Sequence, residues 1–263
     1  MKYRYKIVVA YDGTGYFGWQ IQNNKPTIAH ALQSAFFKVF ATSVSVIGVS
    51  RTDAGVHAQG QVATFTTERA IDIATIKFAW NNVLPAGITI VDVEQVSLCY
   101  NPFANIAYKI YCYYLFVERP LPFVSRYGWL VRSSFVPEKC AYALQQFVGT
   151  YNFKQFTTDD DRGQDTIRTI DSIDFEFDAV MGAYKITIKG PKFLRHMIRR
   201  VVGAAVEIAS RSDLSVDCLK RMLHGVTLPQ SLVSAPAQGL LLQSIVYNQQ
   251  CVDQDIHSEK ELS

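Results

Sequence analysis

Residues 50–61 have the sequence S-R-T-D-A-G-V-H-A-Q-G-Q. The segment is polar, and its two glycines, Gly55 and Gly60, favour turns. On either side lie apolar, β-rich runs, 44–49 and 61–67, which predict strands. The segment is therefore predicted to be a loop held between two rigid strands, a place where functional side chains are often found.

Two charged side chains of this loop, Arg51 and Asp53, allow two interpretations. A carboxylate beside a guanidinium has a lowered pKa and stays ionised at neutral pH, as a nucleophile or general base must. In the structural alternative, Asp53 caps a turn and Arg51 pairs with it. The spacing alone leaves both interpretations open.

The hydrophobic pattern on either side of the loop predicts a mixture of strands and helices. Strands are expected at 6–10, 44–49, 61–67, 88–96, 107–117, 170–177, 184–188 and 240–246. Helices are expected at 27–40, 71–83, 136–148, 193–209 and 214–224. The strands at 170–177 and 184–188 should pair with each other. This order is typical of an α+β protein with helices on one face of an antiparallel sheet.

The length of 263 residues suits one large domain or two of ordinary size. We expect an N-terminal half at 1–100, a C-terminal half at 101–250 and an acidic, flexible tail at 251–263. The acidic loop at 157–165 should be a solvated turn.

Composition excludes several classes of protein. With 49% hydrophobic residues and a net charge of +3, the chain should form a compact, soluble protein with a hydrophobic core. No apolar run is long enough to span a bilayer, so no membrane partner is expected. The five cysteines are odd in number and widely spaced, which argues against a disulfide scaffold and favours the cytoplasm.

Metal and cofactor motifs are missing from the sequence as well. No two of the five histidines form an H-x-x-x-H pair, so no metal site is expected. Residues 12–15, D-G-T-G, lack the spacing of a phosphate-binding loop and predict a turn instead. The sequence therefore offers no motif for a metal or a phosphate-containing cofactor.

Basic residues concentrate in one region. Between Lys189 and Arg221 there are eight basic and three acidic residues, and so a local net charge of +5. If 193–209 is helical, the cations share one face, and they are Lys192, Arg195, His196, Arg199 and Arg200. Such a face is either a solvated surface or a site for a polyanion, and the pattern alone does not decide.

Residues 51–58, R-T-D-A-G-V-H-A, resemble the active-site motif of the TruA family of tRNA pseudouridine synthases. Five further segments are similar to that family in the same order, namely 11–20, 82–85, 109–113, 193–199 and 235–240. The resemblance runs from about residue 4 to residue 247. An ordered set of this kind is far more specific than the R-T-D triplet alone.

The resemblance implies a fold and an activity. The fold would be two ferredoxin-like halves with joined antiparallel sheets and a basic cleft between them. The activity would be the cofactor-free isomerisation of uridine to pseudouridine at positions 38, 39 and 40 of the anticodon arm of tRNA. The family is typically a homodimer.

The same resemblance implies the roles of individual residues. Asp53 would be the catalytic carboxylate, Tyr111 the ring that stacks on the target base, and Arg199 the arginine that pairs with the catalytic Asp. We expect six further residues to contact RNA, namely Arg51, His57, Lys192, Arg195, His196 and Arg200.

Two positions depart from the family pattern. Ser50 stands where the family usually has Gly, and Phe103 stands where an ungapped alignment places an Arg. The departures should affect RNA handling more than chemistry. Two alternatives stay open, a non-catalytic RNA-binding protein on the same scaffold and a synthase that acts on other uridines. The first is disfavoured because a bare carboxylate at Asp53 would repel phosphates.

Overall fold

A computed structural model describes residues 1–131, 134–158, 165–226 and 233–248 of the chain. It divides into two compact units. The first comprises Met1–Tyr108 and the described residues from Leu242 onward, and the second comprises Lys109–Leu241. The units do not follow a single boundary near residue 100, because the chain returns to the first unit at Leu242.

The described part of the first unit is a sheet with two α-helices. Its elements are β1 (Tyr3–Tyr11), α1 (Ile28–Phe40), β2 (Ile47–Gly48), β3 (His57–Thr67), α2 (Ile73–Val83) and β4 (Ile88–Val96). β1 pairs antiparallel with both β3 and β4, and β2 pairs with β3. From Leu242 onward, β11 (Leu240–Tyr247) lies beside β3. The loop that carries Asp53 runs from the end of β2 to the start of β3.

Apolar residues on one face of β1 form the core of this unit. Alternate residues of the strand are buried, as the two-residue period of a strand requires. Behind them, the ring of Phe36 in α1 lies 5.1 Å from Phe65 and 5.0 Å from Trp80 in edge-on contacts. The indole N–H of Trp80 donates to the Leu32 carbonyl at 3.0 Å, which joins α2 to α1. The core therefore fixes both helices against the sheet.

The described part of the second unit contains a sheet, three α-helices and a separate pair of short strands. Its elements are β5 (Ile106–Phe116) from Lys109 onward, β6 (Trp129–Leu130), α3 (Pro137–Gln145), β7 (Gly149–Asn152), β8 (Ile167–Ile170), β9 (Ser172–Asp178), β10 (Ala183–Gly190), α4 (Met197–Ser210) and α5 (Val216–Leu223). β10 pairs antiparallel with β5 and β9, while β7 and β8 form a separate pair. α4 is buried along most of its length and packs on α3.

The structure confirms the predicted α+β class and most of the predicted elements. The strand at Ile88–Val96 and the pairing of β9 with β10 are as expected. The predicted strand at 44–49 is wrong in extent, since only Ile47 and Gly48 pair with β3. The predicted strand at 170–177 is interrupted at Asp171, whose N–H donates to the Lys189 carbonyl at 2.8 Å.

The predicted helix at 193–209 begins four residues late. His196 adopts a left-handed conformation, with φ 60° and ψ 1°, so α4 starts only at Met197. Lys192 and Arg195 therefore precede the helix, and the expected single helical face of cations is wrong. Arg199 and Arg200 alone of that set lie on α4.

Several expectations fall on other parts of the chain. Most of the acidic loop at 157–165 and the whole tail at 251–263 lie outside the described residues. In the described part, no helix combines the length and apolarity needed to cross a membrane. Nor do the described His, Cys, Asp and Glu side chains form a group of three or more placed to hold a metal ion.

Candidate active site

The loop that carries Asp53 is fixed at its base by β3. The Val49 N–H donates to the Val62 carbonyl at 2.9 Å. The Ser50 N–H donates to the side-chain oxygen of Gln61 at 3.1 Å, and the amide nitrogen of Gln61 donates back to the Ser50 carbonyl. Gln61 is fully buried, so water does not compete for these bonds. The loop therefore leaves the sheet in one defined direction.

The segment 11–20 packs directly on this loop. The hydroxyls of Tyr11 and Thr52 are hydrogen-bonded at 2.8 Å, and the Trp19 N–H donates to the Thr52 carbonyl at 3.1 Å. On the other side of Asp53, the Gly55 N–H donates to the Tyr16 carbonyl at 3.1 Å. Two motifs that are separate in the sequence thus form one structure within the first unit.

Two glycines make this contact possible. A Cβ on Gly18 would lie 2.5 Å from the Thr52 carbonyl oxygen and 3.0 Å from the Asp53 carbonyl carbon, and Gly18 has a φ of +85°. A Cβ on Gly13 would lie 2.1 Å from the Val56 carbonyl oxygen. Backbone therefore meets backbone on both sides of Asp53, at a distance that no side chain allows.

The three predicted site residues of this loop differ in accessibility. Arg51 is exposed and Asp53 is half-buried. His57, the first residue of β3, is only 4% exposed, and its Nδ1 lies 3.0 Å from the Gly13 nitrogen and 3.1 Å from an Asp12 carboxylate oxygen. The location of His57 is interior, which does not fit the expected contact with RNA.

Tyr111 lies on β5 in the second unit, opposite Ile188 of β10. Its side chain is 8% exposed, and its ring contacts Phe193 edge-on, with centroids 5.4 Å apart and ring planes at 85°. A strand backbone and a neighbouring ring therefore restrict how Tyr111 can turn.

Arg199 lies in the first turn of α4 and is bonded to the segment 235–240. Its Nε donates to the Ala235 carbonyl at 2.8 Å, and the Ala235 N–H donates to the Arg199 carbonyl at 2.9 Å. The Tyr113 hydroxyl donates to the Pro236 carbonyl at 2.7 Å. Burial raises the pKa of Tyr113 well above its ordinary range, so the hydroxyl remains a donor. Three of the family-like segments thus meet within the second unit.

The other predicted RNA-contacting residues lie around the start of α4. Lys192 and Arg195 are exposed. The Nδ1 of His196 lies 2.6 Å from the Thr158 hydroxyl, and a terminal nitrogen of Arg200 donates to the Gln155 carbonyl at 3.2 Å. The side chains of Lys192 and Arg195 are therefore accessible from solution, whereas those of His196 and Arg200 also form hydrogen bonds within the protein.

Lys109 is a residue that sequence reasoning missed. It lies two positions before Tyr111 on β5, and residues two apart in a strand share a face. Burial, together with the charge of Lys192, lowers the pKa of Lys109 to about 8. The two-residue spacing from Tyr111 was readable in the sequence, but the burial that lowers the pKa was not.

Comparisons with known proteins give the family. Residues 7–102 and 143–248 match the model of a family described as tRNA pseudouridine synthase. The chain therefore belongs to the tRNA pseudouridine synthase family, which confirms the class inferred from its motifs. A relative from Thermodesulfovibrio yellowstonii is named tRNA pseudouridine synthase A and is 32% identical, over 92% of this chain and 98% of its own. One of the same name from Citrifermentans bemidjiense is 31% identical, over 94% of this chain and 98% of its own.

Among solved structures, the chain matches one titled as the archaeal box H/ACA sRNP Nop10-Cbf5 complex. The sequences are 11% identical and the TM-score is 0.32, over 77% of this chain. This chain spans 44% of the length of that protein.

The close contact at Gly18 predicts the result of a matched pair of substitutions. Gly15 and Gly18 both have a φ near +80°, but a Cβ on Gly15 would meet nothing within 4 Å. Gly15→Ala should lose about 1 kcal/mol of unfolding free energy, from backbone conformation alone. Gly18→Ala should lose more than about 2 kcal/mol and also slow pseudouridine formation, because the Asp53 loop must move. Thermal unfolding and turnover of tRNA measure both effects. Equal losses of stability and turnover in the two variants would contradict the conclusion that the contact at Gly18 holds the Asp53 loop.

The lowered pKa of Lys109 predicts a pH-dependent stability. The pKa is about 8 in the folded protein and 10.5 ordinarily, so the unfolded chain binds more protons between these values and stability rises with pH there. Lys109→Met should therefore stabilise the protein at pH 7, on the order of 2 kcal/mol, and this advantage should shrink between pH 8 and 10.5. Denaturant unfolding across this range measures it. The control is Lys220→Met at an exposed position, which measures the effect of replacing a lysine by methionine outside the site. A constant advantage for Lys109→Met would show that the gain comes from packing instead.

Proposed function

We propose that this protein isomerises uridine to pseudouridine in tRNA, with Asp53 as the catalytic carboxylate. One observation carries the proposal. The backbone around Asp53 is bonded to a second segment on both sides, through Thr52 and Gly55, so the half-buried carboxylate is held on a pre-organised loop. A catalytic group held in a fixed geometry lowers the entropic part of the activation barrier.

The proposed reaction rearranges the atoms of the substrate and needs no oxidant, reductant or group donor. The bond between uracil N1 and ribose C1′ breaks, the base turns, and a bond forms between C5 and C1′. The proton on C5 leaves and N1 gains a proton, so the product is an isomer of the substrate and no oxidant or reductant takes part. Three roles of Asp53 satisfy this chemistry, namely attack on the ribose, attack on the base, or removal of a ribose proton.

Tyr111 and Arg199 have supporting roles in the proposal. The Tyr111 ring, oriented by Phe193, would stack on the uracil once it has left the helix of bases, since every base offers a face to an aromatic ring. Arg199 would be the cationic partner of the catalytic carboxylate. Its Nε bond to the Ala235 carbonyl fixes the direction of the guanidinium.

Exposed cations would bind the phosphates of the RNA. Arg51, Lys192 and Arg195 are exposed, and Lys192 and Arg195 lie in the same short segment before α4. His196 and Arg200 would add contacts from the start of that helix. The burial of His57 removes it from this set.

The finer features of the proposal rest on the resemblance of the motifs to the TruA family. The target uridines would be positions 38, 39 and 40 of the anticodon arm. The protein would act as a homodimer in the cytoplasm.

Release of tritium from tRNA labelled at uracil C5 tests the reaction. The wild-type protein should release tritium, and Asp53→Asn should release none while binding tRNA with a Kd within about threefold of wild type, because the amide keeps the shape and loses the charge. Asp92→Asn, at an exposed position of β4, is the matched control and should be fully active. Normal turnover by Asp53→Asn would remove Asp53 from the mechanism. Binding of tRNA without tritium release by the wild type would favour the non-catalytic RNA-binding protein.

The phosphate contacts predict the salt dependence of binding. Arg195→Ala and Arg200→Ala should each weaken tRNA binding and lower the slope of log Kd against log salt by about 0.7 to 0.9, the effect of one phosphate contact. Arg69→Ala, an exposed arginine of the first unit, serves as the control. Titrations at several salt concentrations give the slopes. An unchanged slope in both variants would exclude the segment before α4 and its first turn as the docking surface.

A further inference from the structure

His57 is a polar side chain inside the contact that holds the Asp53 loop. It follows Asp53 by four residues, begins β3, and is 4% exposed. A buried polar group costs stability unless it is hydrogen-bonded, so its partners indicate its purpose.

The Nδ1 atom of His57 contacts both Gly13 and Asp12 of the neighbouring turn. The Gly13 nitrogen lies 3.0 Å from Nδ1 of His57, and a backbone N–H can only donate. Nδ1 accepts this hydrogen bond when the ring is neutral with its proton on Nε2. A proton on Nδ1 would instead be donated to the Asp12 carboxylate beside it. The Asp12 carboxylate, 3.1 Å from the same nitrogen, accepts the Thr14 N–H at 2.9 Å. The two side chains thus hold two consecutive amides of the turn at 12–15.

This turn connects directly to the backbone on both sides of Asp53. Gly13 packs against the Val56 carbonyl, and the turn continues into Tyr16, whose carbonyl accepts the Gly55 N–H at 3.1 Å. Gly18 then packs against Thr52 and Asp53. Loss of the His57 acceptor would leave the buried Gly13 N–H unsatisfied and loosen the first of these contacts.

We infer that His57 is a positioning residue for Asp53 and not an RNA ligand. Its Nδ1 would position the loop as the hydrogen-bond acceptor for the Gly13 amide. The inference rests on the proposed function for its effect on catalysis. Its structural part, that His57 holds the turn at 12–15 against the loop, is independent of the reaction.

Two substitutions separate the acceptor from the ring. His57→Asn places an amide oxygen where Nδ1 lies, while His57→Leu fills similar space without an acceptor. His57→Leu should lower kcat about 100-fold with KM and tRNA Kd within about threefold, and His57→Asn should restore kcat to within about tenfold of wild type. The amides of Gly13 and Gly55 should exchange with solvent faster in the Leu variant and normally in the Asn variant. His30→Leu, on the exposed face of α1, is the control and should change nothing.

Each outcome decides the inference. Unchanged kcat in His57→Leu overturns it, and weaker tRNA binding with unchanged kcat assigns His57 to the RNA instead. If the wild type releases no tritium from tRNA, the proposed function fails, and amide exchange alone then tests the structural part of the inference. Unchanged exchange at Gly13 in His57→Leu would overturn that part. If His57→Leu does not fold, His57→Asn decides, because a folded Asn variant that has lost more than about 100-fold in kcat is incompatible with a role as acceptor alone.

Discussion

The close approach of the backbone at 13–18 to the backbone at 52–56 is the constraint on which the position of Asp53 depends. Gly13 and Gly18 permit it, and hydrogen bonds to Thr52 and Gly55 close it on both sides. Ordering the backbone of the loop has an entropic cost, but contacts between main-chain groups add no loss of side-chain rotamer freedom to it. The main chain around the carboxylate therefore contributes directly to its placement, and the side chains of Tyr11 and His57 bond to the same two segments.

The second unit fixes its functional residues by a different means. Arg199 and Tyr113 both bond to carbonyls of the segment 235–240, and Tyr111 is oriented by a ring contact. Gly239 allows the same segment to lie on the Tyr113 ring, since a Cβ there would be 2.4 Å from a ring carbon. In both units, segments far apart in the sequence meet at a residue of the proposed site. This explains why the family-like motifs are spread along the chain.

Local pattern was enough to predict the strand at Ile88–Val96 and the loop that holds Asp53, because alternation and turn residues act over a few positions. It failed at the start of α4, where an amphipathic pattern continues through 193–209 but His196 takes a left-handed conformation that no periodicity reveals. The strand predicted at 44–49 is wrong in extent for a related reason, since Val44 and Val46 are buried without strand pairing. The interior location of His57 and the lowered pKa of Lys109 depend on tertiary burial, which a one-dimensional pattern does not contain.

The two departures from the family pattern differ in their structural consequence. Ser50 is 3% exposed, and its N–H and carbonyl bond to Gln61, groups that any residue supplies. The loop base therefore accepts a serine in place of glycine without losing these bonds. Phe103 is 53% exposed, so its ring changes the surface of the protein. The first departure therefore keeps the main-chain bonds that hold the base of the loop, and the second puts an apolar ring where the family pattern has a cation.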